Sequence, residues 1–392
     1  MPASSDQDVL ELLGQMVAID SVNPSLVSGA AGEREIAEFV AHWARTTGLA
    51  AEIVEETPDR PSVIVRSGGT AGGRTLLLCG HLDTVGTGGM IDPLTPRIDG
   101  DRLYGRGGYD MKAGLAAALV ACRDAKAAGI SGEVIVAAVA DEEHSSIGVQ
   151  QVLERVSADA AIVTEPTELA IGTAHKGFVW TQIEVLGKAA HGSRPHLGVD
   201  AILKMGPILL ALEELGWRLR ERKHISLGPG SLHASLITGG MEESTIPDRC
   251  VLTVERRTLP GERVLDVEDD IAGLLAGCRT ADPELVVSSR TTLARQPFEI
   301  AASEEIVGVL TDVTSRVVGA SAAVQGMSYW ADSAFISAAG IPTLLFGPGG
   351  DGAHAEIEWV SISDTVACTR VLSATASAFC RVPDQGHLAL NI

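Results

Sequence analysis

Thr75-Leu76-Leu77-Leu78-Cys79-Gly80-His81-Leu82-Asp83 is the stretch on which the fold turns. Its first part is a continuous apolar run of strand length, the form taken by a strand buried on both faces of a parallel sheet. Its second part delivers a histidine and a carboxylate where the strand ends. The pattern recurs along the chain. Val134 to Ala140 is a second apolar run and ends in Asp141-Glu142-Glu143, Ala160 to Thr164 ends in Glu165, and Pro342 to Phe346 runs into a Gly-rich turn and then His354. Asp110 lies between, at the start of a helix-like stretch. In an open α/β sheet, ligands gather at the carboxyl ends of the strands. One fold rule therefore brings two histidines and several carboxylates from distant segments to one rim. Such a mixed set favours zinc or a similar divalent ion.

Around these strands the spacing predicts helices. Ile36, Phe39, Val40 and Trp43 recur at helical intervals between Glu33 and Gly48, and Met111 to Ala128 is Ala-rich and stops at Gly129. Further strands are expected at Ser62 to Arg66 and Glu133 to Ala140, and a helix at Ile147 to Val156. Strands alternating with helices indicate a largely parallel sheet covered on both faces. The texture changes near Gly177. Phe178 to Leu186 alternates like a half-exposed strand, and a helix from about Asp200 to Arg222 follows. Strands at Ser231 to Ile237 and Cys250 to Arg256, a helix at Val267 to Cys278 and a strand at Glu284 to Ser289 complete a βαββαβ series. That order matches a ferredoxin-like sandwich. The expected organisation is an α/β domain formed by residues 1–177 and 293–392, with residues 178–292 inserted as a small α+β domain.

The bulk numbers exclude whole classes of function. Of the 392 residues, 45% are hydrophobic, ample for packed cores. Thirty basic residues against 51 acidic ones give a formal charge of −21, which opposes binding to nucleic acid or to an anionic membrane. No basic region followed by an apolar core opens the chain, so no secretory signal is expected, and no apolar run is long enough to span a membrane. The cysteines Cys79, Cys122, Cys250, Cys278, Cys368 and Cys380 are scattered without a C-x-x-C pair, which points to reduced thiols in a cytoplasmic protein.

Each site motif has an ordinary reading beside the chemical one. His81 and Asp83 share a strand face by alternation, so Asp83 is expected to accept the second ring N–H of a metal-binding His81; the ordinary reading is a capped strand end. Asp110, in Gly105-Arg-Gly-Gly-Tyr-Asp110, is either a carboxylate delivered into a cleft or a helix N-cap. Three adjacent acids at 141–143 repel one another unless a cation or solvent compensates. Gly347 to Gly352 matches G-x-G-x-x-G literally, but Pro348 interrupts it and no βαβ unit follows, so a dinucleotide site is rejected. Its backbone N–H groups, Gly349 among them, are instead candidates to hold a substrate carboxylate. No Gly-x-Ser-x-Gly elbow supports a serine hydrolase.

Taken in order, Gly80-His-Leu-Asp-Thr-Val, Tyr104-Gly-Arg-Gly-Gly-Tyr-Asp-Met-Lys, Asp141-Glu-Glu, Glu165-Pro-Thr, His175-Lys-Gly, His191-Gly-Ser-Arg-Pro and His354-Ala-Glu-Ile-Glu-Trp resemble the co-catalytic zinc aminoacylase and metallopeptidase family. That family includes acetylornithine deacetylase, succinyl-diaminopimelate desuccinylase, aminoacylase and glutamate carboxypeptidase. The resemblance runs from about residue 8 to residue 375. It implies a zinc-peptidase-like fold with an inserted lid, and two divalent metal ions, zinc first, with Co2+ or Mn2+ as alternatives. Asp110 would bridge the ions, His81 and Glu165 would complete one set, and Glu143 and His354 the other. Glu142 would be the general base, Asp83 would orient His81, and His191 would reach the partner subunit's site to stabilise the oxyanion. Arg257 would hold a substrate carboxylate, and the inserted domain would make a homodimer. A cis peptide is implied between Asp110 and Met111. One departure stands out: Ser244 occupies a place where many relatives carry Asn, and a hydroxyl offers fewer hydrogen bonds than an amide. The implied activity is hydrolysis of the amide bond of an N-acyl-α-amino acid, acetylornithine deacetylase-like, by metal-activated water. The alternatives on the same site are a carboxypeptidase or dipeptidase acting on a short peptide, or an N-carbamoyl amino acid hydrolase.

Overall fold

A computed structural model describes residues 3–69 and 72–381. It divides the chain into two compact units, the first formed by the segment up to Thr173, by Ile300–Gln325 and by the segment from Ala331 onward, the second by Ala174–Glu299 and Gly326–Trp330.

In the main sheet the strands Ala50–Val54, Ser62–Arg66, Glu133–Val139, Thr75–His81, Ala160–Val163, Thr343–Leu345 and Ile171–His175, the last running past the boundary at Thr173, lie side by side in that order. The centre is parallel: Thr75–His81 pairs with Glu133–Val139 on one side and Ala160–Val163 on the other, and Thr343–Leu345 continues in the same sense. The flanking pairs are antiparallel, so the sheet is parallel where the candidate residues sit and mixed at its margins. Every residue from Leu76 to His81 is buried, as a continuous apolar run between two helical layers requires. The helices Arg34–Thr46 and Ala113–Ala127 cover the sheet; the first buries Ile36, Ala37, Val40, Ala41 and Ala44, one stripe at helical spacing. The Ala113–Ala127 helix approaches the strand ends so closely that a Cβ on Gly114 would lie 1.8 Å from the Thr164 carbonyl oxygen. Glycine is required there, and the approach seats the helix directly behind Asp110.

A small four-stranded sheet in the first unit joins Arg97–Asp99, Arg102–Tyr104, Trp359–Ser361 and Gly350–Asp351. Its register pairs Trp359 with Tyr104. The segment after His354 is thereby stitched to the segment before Asp110.

The second unit carries the antiparallel sheet Ser231–Gly239, Arg249–Thr258, Gly177–Leu186, Val286–Arg295 in that spatial order. With the helices Ala201–Leu219 and Val264–Ala281 it is a βαββαβ sandwich. Its core gathers Ile183, Val185, Met205, Ile208, Leu212, Leu252, Val254, Ile271 and Leu275. The Gly177–Leu186 strand alternates buried and less buried residues along its length, one face packed on the helices. All six cysteines are free thiols. Among the described residues no helix is long and apolar enough to cross a membrane.

Candidate metal centre

The carboxyl ends of the central strands converge as the fold rule requires. His81 closes its own strand, Glu165 stands just past Val163, and Glu142 and Glu143 follow the turn after Val139. That turn is sharp. Asp141 adopts a left-handed φ of 66°, uncommon for a residue with a side chain, and its carbonyl accepts the Ser145 and Ser146 N–H groups. Asp110 lies in the loop before the Ala113–Ala127 helix, and the Asp110–Met111 peptide is cis, as the resemblance implies.

The two oxygens of the Asp110 carboxylate face two different histidines. Oδ1 is 3.2 Å from His81 Nε2, and Oδ2 is 3.3 Å from His354 Nε2. Glu165 Oε1 lies 3.9 Å from His81 Nε2, and Glu143 Oε2 lies 3.1 Å from His354 Nε2. Two triads result, His81–Asp110–Glu165 and Asp110–Glu143–His354, with the donor atoms of each within 4.8 Å of one another. The first triad is the more deeply buried; the His354 side chain is 54% exposed.

The electrostatics are those of a site short of positive charge. Burial pushes the Glu142 and Glu165 carboxyls well above the ordinary range, and neighbouring carboxylates add to it against the opposing pull of His81. Burial raises Glu143 as well, against its hydrogen bond to His354. Burial would lower the His81 pKa, but Asp110, Glu165, Glu142 and Asp83 together hold it well above its usual value. Hydrogen bonds that His354 donates to Asp110 and Glu143 raise its pKa to about 10. Four carboxylates thus converge on two imidazoles. Glu143 Oε1 is buried without a hydrogen-bond partner, an arrangement that normally calls for a missing ligand. The residues fit a pair of divalent cations: carboxylates bridging and flanking imidazoles suit zinc and its neighbours, and cations would reverse the local charge balance.

Asp83 corrects one expectation. His81 Nδ1 meets the backbone carbonyl of Asp83 at 2.8 Å, whereas the carboxylate oxygen stands 3.7 Å away. The Asp83 carboxylate instead accepts the backbone N–H groups of Glu142 and Glu143 at 3.1 and 3.2 Å and the Asn23 side-chain amide at 2.7 Å. It therefore fixes the acidic turn directly and the imidazole through its own main chain. Behind it, Asn23 also reaches Asp141, and the buried Arg60 joins Asp141 to Glu33. Asn23, Arg60 and Glu33 were not singled out by sequence pattern; no local spacing links them to residue 141.

Gly349 is the second correction. Its N–H already donates to Asp364 Oδ2 at 3.1 Å, and a Cβ there would lie 2.5 Å from that oxygen. The glycine is explained by this close approach, and the N–H is not free for a substrate carboxylate.

His191, Ser244 and Arg257 lie in the second unit. Strand pairing sets Ala190-His191 against Thr245-Ile246, and the Gly192 N–H donates to the Ser244 carbonyl at 2.7 Å, so His191 and Ser244 are neighbours. His191 Nδ1 meets the Ser193 hydroxyl at 2.8 Å and the Ser193 backbone N–H at 3.2 Å, so that side of the ring is engaged locally. Arg257 donates from Nε to Glu255 at 2.6 Å and lies over the Phe178 ring, its cross-strand partner, at 5.2 Å.

Known proteins are similar to this chain over most of its length. Residues 77–378 match the model of peptidase family M20/M25/M40. An acetylornithine deacetylase of Proteus mirabilis (strain HI4320) is 29% identical over 382 residues, covering 95% of this chain and 96% of the relative. One of Myxococcus xanthus is 30% identical over 383 residues, covering 94% and 96%. A solved tripeptidase from Staphylococcus aureus superposes with a TM-score of 0.78 at 20% identity, over 96% of this chain and 98% of that one, a likeness of fold. The match spans most of the chain and includes every ligand candidate, and the chain belongs to peptidase family M20/M25/M40, a family of metal-dependent hydrolases.

Proposed function

We propose that this protein is a metal-dependent amidohydrolase that cleaves the amide bond of an N-acyl-α-amino acid, with two divalent ions, zinc first, held by His81, Asp110, Glu143, Glu165 and His354. The observation that carries the reading is the Asp110 carboxylate, whose two oxygens face two separate histidine–carboxylate sets. The likeness to the acetylornithine deacetylases over nearly the whole chain supports an acyl-amino acid as substrate.

Bound at these residues, such a pair of cations supplies Lewis-acid polarisation of the scissile carbonyl and lowers the pKa of water to near neutrality. The chain's own groups do the rest. Glu142, anchored through its backbone N–H to Asp83 Oδ1 and belonging to neither ligand triad, takes the proton of the attacking water and returns it to the leaving amine nitrogen. Asp83 holds the turn that aims Glu142 and, through its carbonyl, fixes the His81 tautomer with Nδ1 protonated and Nε2 turned to the carboxylates. His191 of the partner subunit donates from Nε2 to the oxygen on which charge develops, and Arg257 offers its guanidinium to the substrate carboxylate.

The protein as purified is expected to hold two metal ions per chain by elemental analysis. Dialysis against a chelator should remove both ions and the hydrolysis of N-acetyl amino acids together, and added zinc should return both. A panel of dipeptides and N-carbamoyl amino acids, run beside the N-acetyl compounds, separates deacylase from peptidase and carbamoylase. Full activity in chelated, metal-free protein would reject the reading.

The homodimer has its own support. Ser231–Gly239 is an edge strand of the second unit's sheet, with Leu236 and Ile237 exposed, a feature that native monomers avoid. Beside it the Ala201–Leu219 helix exposes Leu203, Leu210 and Trp217, one residue every two turns, while Met205, Ile208, Leu212 and Leu215 face the core. A contiguous apolar surface of this kind marks an interface. Light scattering should give twice the chain mass for the native protein and the single chain mass for Leu210→Glu combined with Leu236→Lys. A native protein that runs as a monomer at micromolar concentration would dispose of the dimer. The scattered free thiols support a cytoplasmic setting.

A further inference from the structure

Two buried charged residues of the first unit have no part in the chemistry above. Glu358 is fully buried and Arg106 nearly so, and burying an ion pair is costly unless its geometry is specified closely. Here the geometry is highly specified. Glu358 Oε1 accepts the backbone N–H groups of Tyr109 at 2.9 Å and of Asp110 at 3.1 Å. Glu358 Oε2 accepts the Gly107 N–H at 3.0 Å and Arg106 Nη1 at 2.6 Å. Arg106 Nη2 in turn donates to the carbonyl of Ala355 at 2.8 Å. One carboxylate thus takes four donors from the loop that ends in Asp110. The guanidinium from the same loop holds the residue immediately after His354. The partners are 252 residues apart in sequence, so nothing local demands the contact.

We propose that Arg106 and Glu358 are positioning residues that lock the Asp110 loop to the His354 segment and thereby set the spacing of the outer metal position. The Asp110 main chain is held from one side by Glu358, and His354 from the other by Arg106 acting on Ala355. Any slack between the two segments changes the distance between Asp110 Oδ2 and His354 Nε2, now 3.3 Å. The inner triad depends on the clamp through Asp110 alone, because His81 ends one central strand and Glu165 closely follows another. The outer ion is therefore the one to loosen first. Partners that orient a ligand in this way typically change metal affinity by about 10- to 100-fold when removed.

This inference rests on the assignment of Asp110 and His354 as metal ligands, and the test keeps the two apart. Zinc affinity is measured by competition with a chromophoric chelator on the full-length native protein, on Glu358→Gln and on Arg106→Lys, and the visible spectrum of each is recorded after loading with cobalt. Glu358→Gln keeps the shape but turns an N–H donor toward backbone N–H groups. Arg106→Lys keeps the buried cation beside Glu358 and loses the second donor to Ala355. The expected result is one ion bound as in the native protein, a second weakened by about 10- to 100-fold, a changed cobalt spectrum, and activity that recovers at high zinc. A folded variant with both native affinities and the native spectrum would overturn the clamp. If Glu358→Gln does not fold, Arg106→Lys decides on the same readouts. If the native protein itself binds no zinc, the metal centre falls and the clamp falls with it.

Discussion

Replacing Glu142 by alanine is expected to lower kcat by about 100- to 10,000-fold, the usual contribution of a positioned general base, while zinc content and thermal stability stay near native. Ligand geometry separates Glu142 from its neighbour. Glu143 Oε2 lies 3.1 Å from His354 Nε2 and belongs to a ligand triad, whereas Glu142 belongs to neither triad. Burial pushes Glu142 well above the ordinary carboxylate range, with Glu165 and Glu143 adding to the effect against the pull of His81. The decisive comparison is kcat against metal stoichiometry. A variant that keeps near-native turnover, or one that loses both ions, would reassign Glu142 to another role. Glu143→Ala should behave in the opposite way, with its defect appearing first in metal content.

The second large effect concerns His191. Its Nδ1 is held locally by Ser193, in an exposed residue that contributes nothing to a packed core. A donor aimed at a developing oxyanion typically contributes about 2.7–4 kcal/mol, and His191→Ala is expected to lower kcat by about 100- to 1,000-fold without loss of zinc. If His191 serves the partner's site, mixing His191→Ala subunits with Glu142→Ala subunits will restore activity. A heterodimer then contains one site with Glu142 from one chain and His191 from the other. Subunit exchange demonstrated by mass, with no return of activity, would place His191 in its own chain's site or in a structural role.

Sequence periodicity reached the parts of this protein where one physical requirement dominates. The runs at Leu76–Gly80 and Val134–Ala140 have the length and apolar continuity of strands buried on both faces, and the fold rule for strand ends then placed His81, Glu142, Glu143 and Glu165 on one rim. Alternation in Phe178–Leu186 likewise foretold a strand with one packed face. What escaped was structure specified by distant partners or by very few residues. Arg97–Asp99 is a three-residue strand, exposed throughout, and shows no period. Ala50–Val54 buries only its last residue and gives little apolar signal. That Asp83 stands beside His81 was legible; that its backbone carbonyl, and not its carboxylate, meets the ring was not. Arg60, backed by Glu33, holds the acidic turn from 81 residues earlier in the chain, and Glu358 holds Asp110 from 248 residues later; neither relation has a signature in local spacing.

The long reach between Arg106 and Glu358 also fixes an order of events in the making of the protein. Chains emerge from the ribosome amino terminus first. A nascent chain therefore carries His81, Asp110, Glu143 and Glu165 for as long as it takes to synthesise the whole second unit, before His354 and Glu358 exist. Through that interval the acidic rim has a single histidine and lacks the residues that close the outer triad. Closing a loop of this length carries a conformational entropy cost that grows only slowly with the number of residues, so distance delays the event more than it opposes it. The proposed metal centre is thus among the last things the chain can complete, and a truncated product that stops short of residue 354 lacks the histidine of its outer triad.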